Sequence, residues 1–419
     1  MQHPLMFSVM TLLLSSTAAL ATELSDTLTL KGKGELVYST TEAAHGGMRP
    51  WYDAGAGQLD LRRSKLSLGP QSLALEWAPL DHWSATVHGQ YHHLSATGVD
   101  LTEAWLTWQP LPLSGYKTKL RAGWFYPALS LENTDPVWTS PYTSSFSLIN
   151  SWFAEELRAN ALELSISRPG RAFDSTLSLQ LVGALTRGND PLGTVISWRG
   201  FALHNVQTGL NERFAFAAYP SLKQPPLTMQ PNWVEPFEEL DSTSGYYVGL
   251  HALWRDSSEL RLYHYDNKAD PTVFRKGQYA WKTRFDHLAL QQQLGESVRV
   301  VAQVLQGDTE MGWQTVVVDY QAWFVLLNYS TDDWQWTVRF DRAKQTDRDE
   351  TFFDNNNGRS RAWTANVSYN LGDFWQLGAE FTELHSVQPN RAQWANWPVD
   401  HTEQVARLTL MGRMSPVNL

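Results

Sequence analysis

The chain lacks cysteine altogether and carries few charged residues for its length. Among its 419 residues none is Cys, and only 18% are Asp, Glu, Lys or Arg. The absence of thiols excludes disulfides, thiolate nucleophiles and cysteine-ligated metal centres. The formal net charge is −10 and no basic block is present, which argues against a nucleic-acid partner.

Long apolar runs are also scarce. After residue 21, no uncharged apolar run approaches the roughly 20 residues that a membrane-spanning helix needs. The apolar stretch Leu5–Leu14 lies at the N-terminus and is followed by Ala19, Leu20 and Ala21. This pattern predicts a signal peptide over residues 1–21, cleaved after Ala21, and hence an exported protein formed by residues 22–419.

What the sequence does contain is aromatic residues, 12% of the chain, in segments with a two-residue period. After residue 333, Trp334, Trp336, Val338 and Phe340 alternate with polar or charged residues. Further segments with this period are 162–166, 177–181, 363–371, 375–382 and 406–410. Such alternation is typical of β-strands with one apolar and one polar face.

The connections between these segments alternate between short and long. Tight turns are predicted at Pro79–His82, Pro110–Tyr116, Arg168–Phe173, Arg255–Ser258, Leu294–Ser297, Ser330–Asp333 and Gly372–Asp373. Longer loops are predicted at 42–56, 94–98, 127–158, 187–243, 268–278, 308–312, 345–359 and 387–401. Together they predict about 16 strands, if residues 57–80 form one long, bulged strand.

An even strand number, alternating connections and a two-faced strand pattern predict an all-β fold, a single antiparallel transmembrane β-barrel with long extracellular loops and short periplasmic turns. Aromatic residues beside the tight turns, such as Trp77, Trp83, Trp254 and Trp334, fit an interfacial girdle. A soluble sandwich, propeller or solenoid is the alternative. The absence of a fixed repeat disfavours the last two.

With this pattern the chain resembles Gram-negative outer-membrane porins, in particular phosphate-selective-porin-like and uncharacterised porin barrels. The segment Leu129–Tyr142, continued by Ile149–Trp152 and Glu155–Arg158, is similar to a characteristic loop of such proteins. The resemblance implies an outer-membrane location, contact with lipid and lipopolysaccharide, and a homotrimer. The chain departs from the family in ending on Leu419 instead of an aromatic residue, and a short tail is expected after a last strand near 402–414.

Loop 127–158 is the first candidate functional segment, because loops this long usually have a role of their own. Resemblance to porins implies that it folds into the barrel and narrows it, with aromatic anchors on the wall and carboxylates at the constriction. The alternative is an extracellular cap without solute contact. A short helix capped near Asn150 is expected to run through Arg158. The charged candidates are Glu132, Asp135, Glu155, Glu156 and Arg158.

The second candidate is a set of basic residues on the strand faces predicted to line the lumen, because Lys and Arg in a pore favour anions. They are Lys31, Lys33, Arg62, Arg63, Lys65, Lys119, Arg121, Lys282, Arg284, Arg339 and Arg407. Carboxylates of the same faces are Glu35, Glu103, Glu163, Asp319 and Glu380. Alternatively, these charges only pair with one another inside a wide barrel. The 57-residue loop 187–243 is expected to cover the mouth, contact a neighbouring subunit or bind a ligand, with a local hairpin from Thr194–Leu203 and Phe214–Tyr219.

No motif for a catalytic triad, phosphate-binding loop or zinc peptidase is present, and His88, His92 and His93 are spaced too far apart on a strand to share one metal. We therefore expect no enzyme activity, no cofactor and no metal. The function predicted is a porin that passes small hydrophilic solutes, with a possible anion preference. The alternatives are an outer-membrane enzyme acting on lipid or polysaccharide, and a soluble carbohydrate-binding β-protein.

Overall fold

The computed structural model describes residues 27–41, 54–59 and 65–418, and within them the chain forms a closed antiparallel barrel of 16 strands. This confirms the predicted fold class. The barrel strands are β1 (Leu28–Thr41), β2 (Lys65–Leu80), β3 (Trp83–Tyr91), β4 (Val99–Trp108), β5 (Lys117–Phe125), β6 (Ala159–Arg168), β7 (Leu177–Arg187), β10 (Gly245–Trp254), β11 (Ser258–Asp266), β14 (Lys282–Leu294), β15 (Val298–Met311), β16 (Val316–Ser330), β17 (Trp334–Asp347), β18 (Gly358–Leu371), β19 (Trp375–Val387) and β20 (Asp400–Asn418).

Shorter elements lie in the loops. Two short hairpin pairs are formed by β8 (Phe214–Ala215) with β9 (Trp233–Val234) and by β12 (Phe274–Arg275) with β13 (Gln278–Tyr279). Helix α1 spans Leu148–Glu156, and α2 spans Thr194–Trp198. In the described ranges, neither these helices nor any other is long and apolar enough to cross a membrane.

Pairing of β1 with β20 closes the barrel. Thr41 lies opposite Val405 at one end of this pair, and Thr29 lies opposite Asn418 at the other. The expected short tail after residue 414 is therefore wrong, because β20 continues to Asn418 along the whole of β1. Extending the pairing satisfies backbone groups that a free tail would leave to solvent.

The two-residue period translates directly into an outward and an inward face. Trp334, Trp336, Val338 and Phe340 point outward, whereas Arg339 and Asp341 are completely buried on the inward face. Leu162, Leu164 and Ile166 are likewise exposed on the outside. Because each outward residue is apolar over most of the strand length, the outer surface is a band suited to lipid.

All seven predicted tight turns connect consecutive barrel strands, and the long connections lie at the opposite end. Exposed aromatic rings surround the tight-turn end, as the girdle interpretation predicted. They are Trp77, Trp83, Trp254, Tyr329, Trp334, Phe374 and Trp375. We call this end the periplasmic end and the other the loop end.

The stretch 57–80 differs in part from its prediction. Residues 69–72 are not a turn, and a register shift at Gly34/Leu36 provides the expected bulge within the β1–β2 pair. However, Gly57–Leu59 does not belong to β2: Leu59 is buried and makes an isolated parallel bridge with Leu203. Its apolar side chain serves the loop core inside the barrel instead of the wall. Two of the predicted loops, 308–312 and 345–359, begin later than expected, because β15 includes residues 308–311 and β17 runs to Asp347.

Candidate functional site

The connection between β5 and β6, residues 126–158, lies inside the barrel, and we call it the inner loop. Its backbone is held by inward side chains of distant strands. The amide of Leu148 donates to Asp341 Oδ1 on β17 at 3.0 Å, and the amide of Ser144 donates to Glu380 Oε2 on β19 at 2.7 Å. On the other side, Arg261 of β11 donates to the carbonyl of Ser130 at 2.8 Å.

Arg339 is the main charged anchor of the inner loop. Its Nη1 lies 2.7 Å from Glu132 Oε1 and its Nε lies 2.8 Å from Asp341 Oδ2, with all three side chains fully buried. The same guanidinium donates to the carbonyls of Ser145 and Phe146. A buried ion cluster of this kind is stable only while every member is present, since removing one leaves an uncompensated charge.

Helix α1 packs the loop against the wall formed by β14–β17. The helix starts at an N-cap, Ser147, whose hydroxyl accepts from the amide of Asn150, so it begins earlier and ends two residues sooner than predicted. Trp152 meets the ring of Tyr320 at 5.2 Å between centroids, and Phe153 meets Phe285 at 5.6 Å. These aromatic contacts leave that side of the lumen filled with apolar side chains.

The connection between β7 and β10, residues 188–244, covers the inner loop, and we call it the outer loop. The predicted hairpin within it is wrong: residues 194–198 form α2, and β8 pairs with β9. A Cβ at Gly193, whose φ is +108°, would overlap the hydroxyls of Thr283 and Thr309, so only glycine lets the outer loop approach the wall this closely.

Glu155 ties the two loops together. Arg199 of the outer loop contacts both of its carboxylate oxygens, at 2.6 and 2.7 Å, and His204 Nε2 lies 2.8 Å from Oε1. Burial opposes the charged form, but the attraction of Arg199 and His204 outweighs it and lowers the pKa of Glu155 to about 2. The carboxylate is therefore ionised and paired throughout the neutral range.

Glu156, the next residue, has the opposite electrostatic situation. Trp152 Nε1 donates to its Oε2 at 2.7 Å, and the amide of Val195 donates to Oε1 at 2.9 Å, but no cation contacts it within the described chain. Burial raises the pKa of Glu156 to about 7 against these hydrogen bonds. The pKa values of the adjacent carboxyls Glu155 and Glu156 thus shift in opposite directions, because Arg199 contacts only the first.

The open space in the lumen lies on the other side of the inner loop. A cavity of about 470 Å³ separates residues 126–138 from the wall formed by β1–β5 and β11. Its charged lining residues are Lys31, Glu76, Glu103, Arg121, Asp135 and Arg261, and His88 lines it as well. Most of these charges pair across the wall, as Lys31 does with Glu76 at 3.7 Å and Arg121 with Glu163 at 3.1 Å.

Of the predicted constriction residues, one faces this cavity. Asp135 lines it and lies 3.7 Å from Arg413. Glu132, Glu155 and Glu156 are fully buried and hold loops, contrary to the expectation that they face the constriction. Arg158 is also buried: it donates to the carbonyl of Thr102 at 3.0 Å and covers the ring of Tyr126 at 4.6 Å.

The predicted basic residues fall into five groups, of which the last, Lys282 and Arg284, points away from the lumen. Lys31 and Arg121 line the cavity. Lys33, Lys65 and Lys119 share inward faces of β1, β2 and β5, where Lys33 Nζ lies 3.3 Å from Glu35 and Lys65 Nζ lies 3.0 Å from His93. Arg339 and Arg407 are inward but buried against loop-holding carboxylates, Arg407 at 3.3 Å from Glu380. Arg62 and Arg63 lie outside the described residues.

Lys282 and Arg284 point outward, so predicting them to line the lumen was wrong. On β14 the buried, inward residues are Thr283, Phe285 and His287, which fixes the even-numbered residues on the outside. Arg284 pairs with Asp308 at 2.8 Å on that outer surface, and Asp319, also predicted to be inward, pairs outward with Arg348 at 2.7 Å. Near the loop end the outward face becomes charged. A charged residue in this part of a strand therefore does not indicate the lumen face, contrary to the assumption made from the sequence.

Sequence reasoning missed Arg261, Arg413 and His88 as lumen residues. Arg261 shares its strand face with Tyr263 and Tyr265, both buried, and this period was available in the sequence. His88 Nδ1 lies 2.7 Å from Glu103 Oε2. Arg413 was missed because β20 was expected to end near it.

Comparison with solved structures finds the same architecture. The outer membrane channel DcaP of Acinetobacter baumannii superposes with a TM-score of 0.54 at 9% identity, covering 92% of this chain and 97% of that one. OmpT of Vibrio cholerae, an outer membrane protein in its trimer form, gives 0.52 at 8% identity and coverages of 93% and 99%. The anion-selective porin from Comamonas acidovorans gives 0.50 at 12% identity and coverages of 92% and 99%.

No family model matches the chain, and no curated protein matches its sequence. The likeness to solved structures at such low identity shows the fold, a 16-stranded barrel of the outer-membrane porin type.

Proposed function

We propose that this protein is an outer-membrane porin that lets small hydrophilic solutes diffuse passively, without catalysis. The observation that carries the proposal is the charged cavity of about 470 Å³ between the inner loop and the wall of a closed 16-stranded barrel. A polar space beside a loop that narrows the lumen suits water-soluble solutes, and the apolar outer band suits lipid.

The cavity lining also bears on selectivity. Lys31, Arg121 and Arg261 are balanced by Glu76, Glu103 and Asp135. Since charges of both signs line the same space, we propose weak ion selectivity, with any anion preference small. This mixed lining gives no reason to propose strong selectivity for anions or for phosphate.

The assembly is proposed from the fold. A barrel of this type would sit among the lipid and lipopolysaccharide of the outer membrane after export. The OmpT structure of Vibrio cholerae is described as a trimer form, and we propose a homotrimer for this chain as well.

Single-channel recording in a planar bilayer tests the function. We expect stable conductance steps from the wild-type protein and a decrease of about half in Thr86→Trp, because Thr86 lines the cavity and an indole there fills much of it. The matched control is Val87→Trp, since the neighbouring Val87 points outward and is exposed. A folded protein without conductance, or equal currents in both variants, would contradict a path through this cavity.

A further inference from the structure

The outward face of β17 and β18 carries four cations close together near the loop end. Arg342 lies directly opposite Arg361, and Lys344 lies directly opposite Arg359, in two neighbouring cross-strand pairs. All four side chains are exposed. We call these residues the outer cationic cluster.

The cluster has no internal compensation. In the described part of the chain, no carboxylate lies within ion-pairing distance of any of the four. The outward acids of the flanking strands have other partners. On β16, Asp319 pairs with Arg348 at 2.7 Å, and on β19 and β20, Glu383 accepts from Gln404 and Asp400 pairs with His385. Like charges directly opposite each other on a sheet face are destabilising, so the arrangement favours an anionic occupant.

The surface below the cluster is aromatic. Trp363 and Phe340 form the next cross-strand pair toward the periplasmic end, with ring centroids 4.5 Å apart, and Trp323 lies opposite Arg342 on β16. A depression of about 610 Å³ is lined by Trp323, Arg342, Lys344 and Arg359, among others. The outward face thus places a cationic depression directly above the aromatic pair of Phe340 and Trp363.

The height of the cluster matches the upper edge of the membrane. Arg342 follows the girdle residue Trp334 by eight positions on one strand, which is about 27 Å along the strand at roughly 3.4 Å per residue. At a tilt of about 40° this corresponds to roughly 21 Å of membrane height, against an apolar band of about 25 Å. The cations therefore lie at the level of the outer-leaflet headgroups. The rings of Phe340 and Trp363, one cross-strand pair lower, lie at acyl-chain depth, and Trp323, level with Arg342, contacts the ring of Phe340 at 5.5 Å.

We propose that the outer cationic cluster binds the phosphate groups of a phosphorylated glycolipid of the outer leaflet, of the lipid A type, whose acyl chains pack on Trp323, Phe340 and Trp363. Arginine suits this task because its planar fork donates two hydrogen bonds to one phosphate. The inference rests on the proposed outer-membrane placement, but not on solute passage through the lumen.

Another part of the same outward rim makes the contrast clear. On β14 and β15, Arg284 pairs with Asp308 at 2.8 Å, and on β11 and β14, His264 lies 2.8 Å from Asp286. There Arg284 already has a carboxylate partner on the outward face, and Asp286 already has a hydrogen-bond partner. Arg284→Gln is therefore a control that removes an outward arginine at the rim without touching the outer cationic cluster.

The test uses the full-length barrel in detergent, with diphosphoryl lipid A as the probe and EDTA present so that divalent ions cannot bridge lipid and carboxylates. Native mass spectrometry measures the bound fraction. We expect Arg342→Gln/Arg361→Gln to lower the affinity by about tenfold or more, since two charged hydrogen-bond donors are lost, and Arg284→Gln to bind as the wild type does. Equal binding by both variants, or loss of wild-type binding in EDTA, would overturn the proposal.

Thermal unfolding supplies a second readout, in which the double substitution raises stability in the absence of lipid and removes the stability gained from lipid. Without lipid, Arg342→Gln/Arg361→Gln should unfold at a higher temperature than the wild type, because it removes a like-charge pair. With diphosphoryl lipid A, only the wild type and Arg284→Gln should gain stability. An equal gain from inorganic phosphate at the same concentration would overturn the lipid assignment and leave a phosphate-ion site. Conductance is measured separately, so a silent barrel that binds lipid A would refute the porin function alone.

Discussion

The two halves of the lumen use inward arginines in different ways. Arg121 of β5 lines the open cavity and pairs with Glu163 of its own wall, whereas Arg339 of β17 is buried between Glu132 and Asp341 and holds the inner loop. Both residues sit on inward faces of barrel strands. An inward charge therefore contacts solute only where the inner loop leaves space, and elsewhere it supports the loop.

The largest loss of stability is expected from a substitution in the half of the lumen that the inner loop fills. Arg339→Met removes the only cation in the buried cluster with Glu132 and Asp341, among the described residues, and leaves two uncompensated carboxylates. We expect a loss of about 3–5 kcal/mol of stability, by analogy with other buried pairs that lose one partner. Thermal unfolding in detergent measures it as a lower midpoint, and open-channel noise should rise as the inner loop loosens.

Arg121→Met is the matched control in the open half. Arg121 lies beside the cavity with 13% of its side chain exposed, and without it Glu163 still accepts a hydrogen bond from the Tyr247 hydroxyl at 2.6 Å. Its replacement should therefore cost less than that of Arg339, about 1–3 kcal/mol. Similar destabilisation by the two substitutions would show that the halves do not differ in the way described.

Acid should loosen the loops through Glu155. Because the pKa of Glu155 is held at about 2, below the ordinary value of 4.5, its pairing with Arg199 and His204 contributes stability above pH 4.5. That contribution, about 3 kcal/mol at about 1.4 kcal/mol per pKa unit, is lost as the pH falls from 4.5 through 2. Unfolding midpoints measured across this range should drop in the wild type, and Glu155→Gln should drop less steeply.

Glu156 should act in the opposite direction. Its pKa is raised to about 7, so the folded protein retains a proton that the unfolded chain has lost above pH 4.5. Stability from this group is complete below pH 4.5 and decreases by roughly 3 kcal/mol as the pH rises through 7. Glu156→Gln should flatten the unfolding midpoint between pH 4.5 and 7. An unchanged slope in this variant would mean that the carboxyl is ionised in the fold.

The sequence predicted the barrel better than the site, for a physical reason. Strand number, turns and outward aromatics follow from a local two-residue period, and Trp334–Asp341 shows both faces correctly. The partners of Glu132, Glu155 and Arg339 lie across the barrel, where no local pattern reports them. Lys282 and Arg284 were misplaced because charge was taken as a sign of the lumen, although strands rising above the membrane carry charges outside too.

The smallest expected effect concerns selectivity in the open half. Lys31 and Glu76 form one partly exposed ion pair that lines the cavity, so each serves as the control for the other. Lys31→Gln leaves the lining more negative, and Glu76→Gln leaves it more positive. With screening by salt, one charge at this distance should change the anion-to-cation permeability ratio by about twofold. The reversal potential under a salt gradient should therefore shift toward cation preference in Lys31→Gln and toward anion preference in Glu76→Gln. Shifts of the same sign in both variants would mean that the pair acts by holding the wall and that permeating ions take another path.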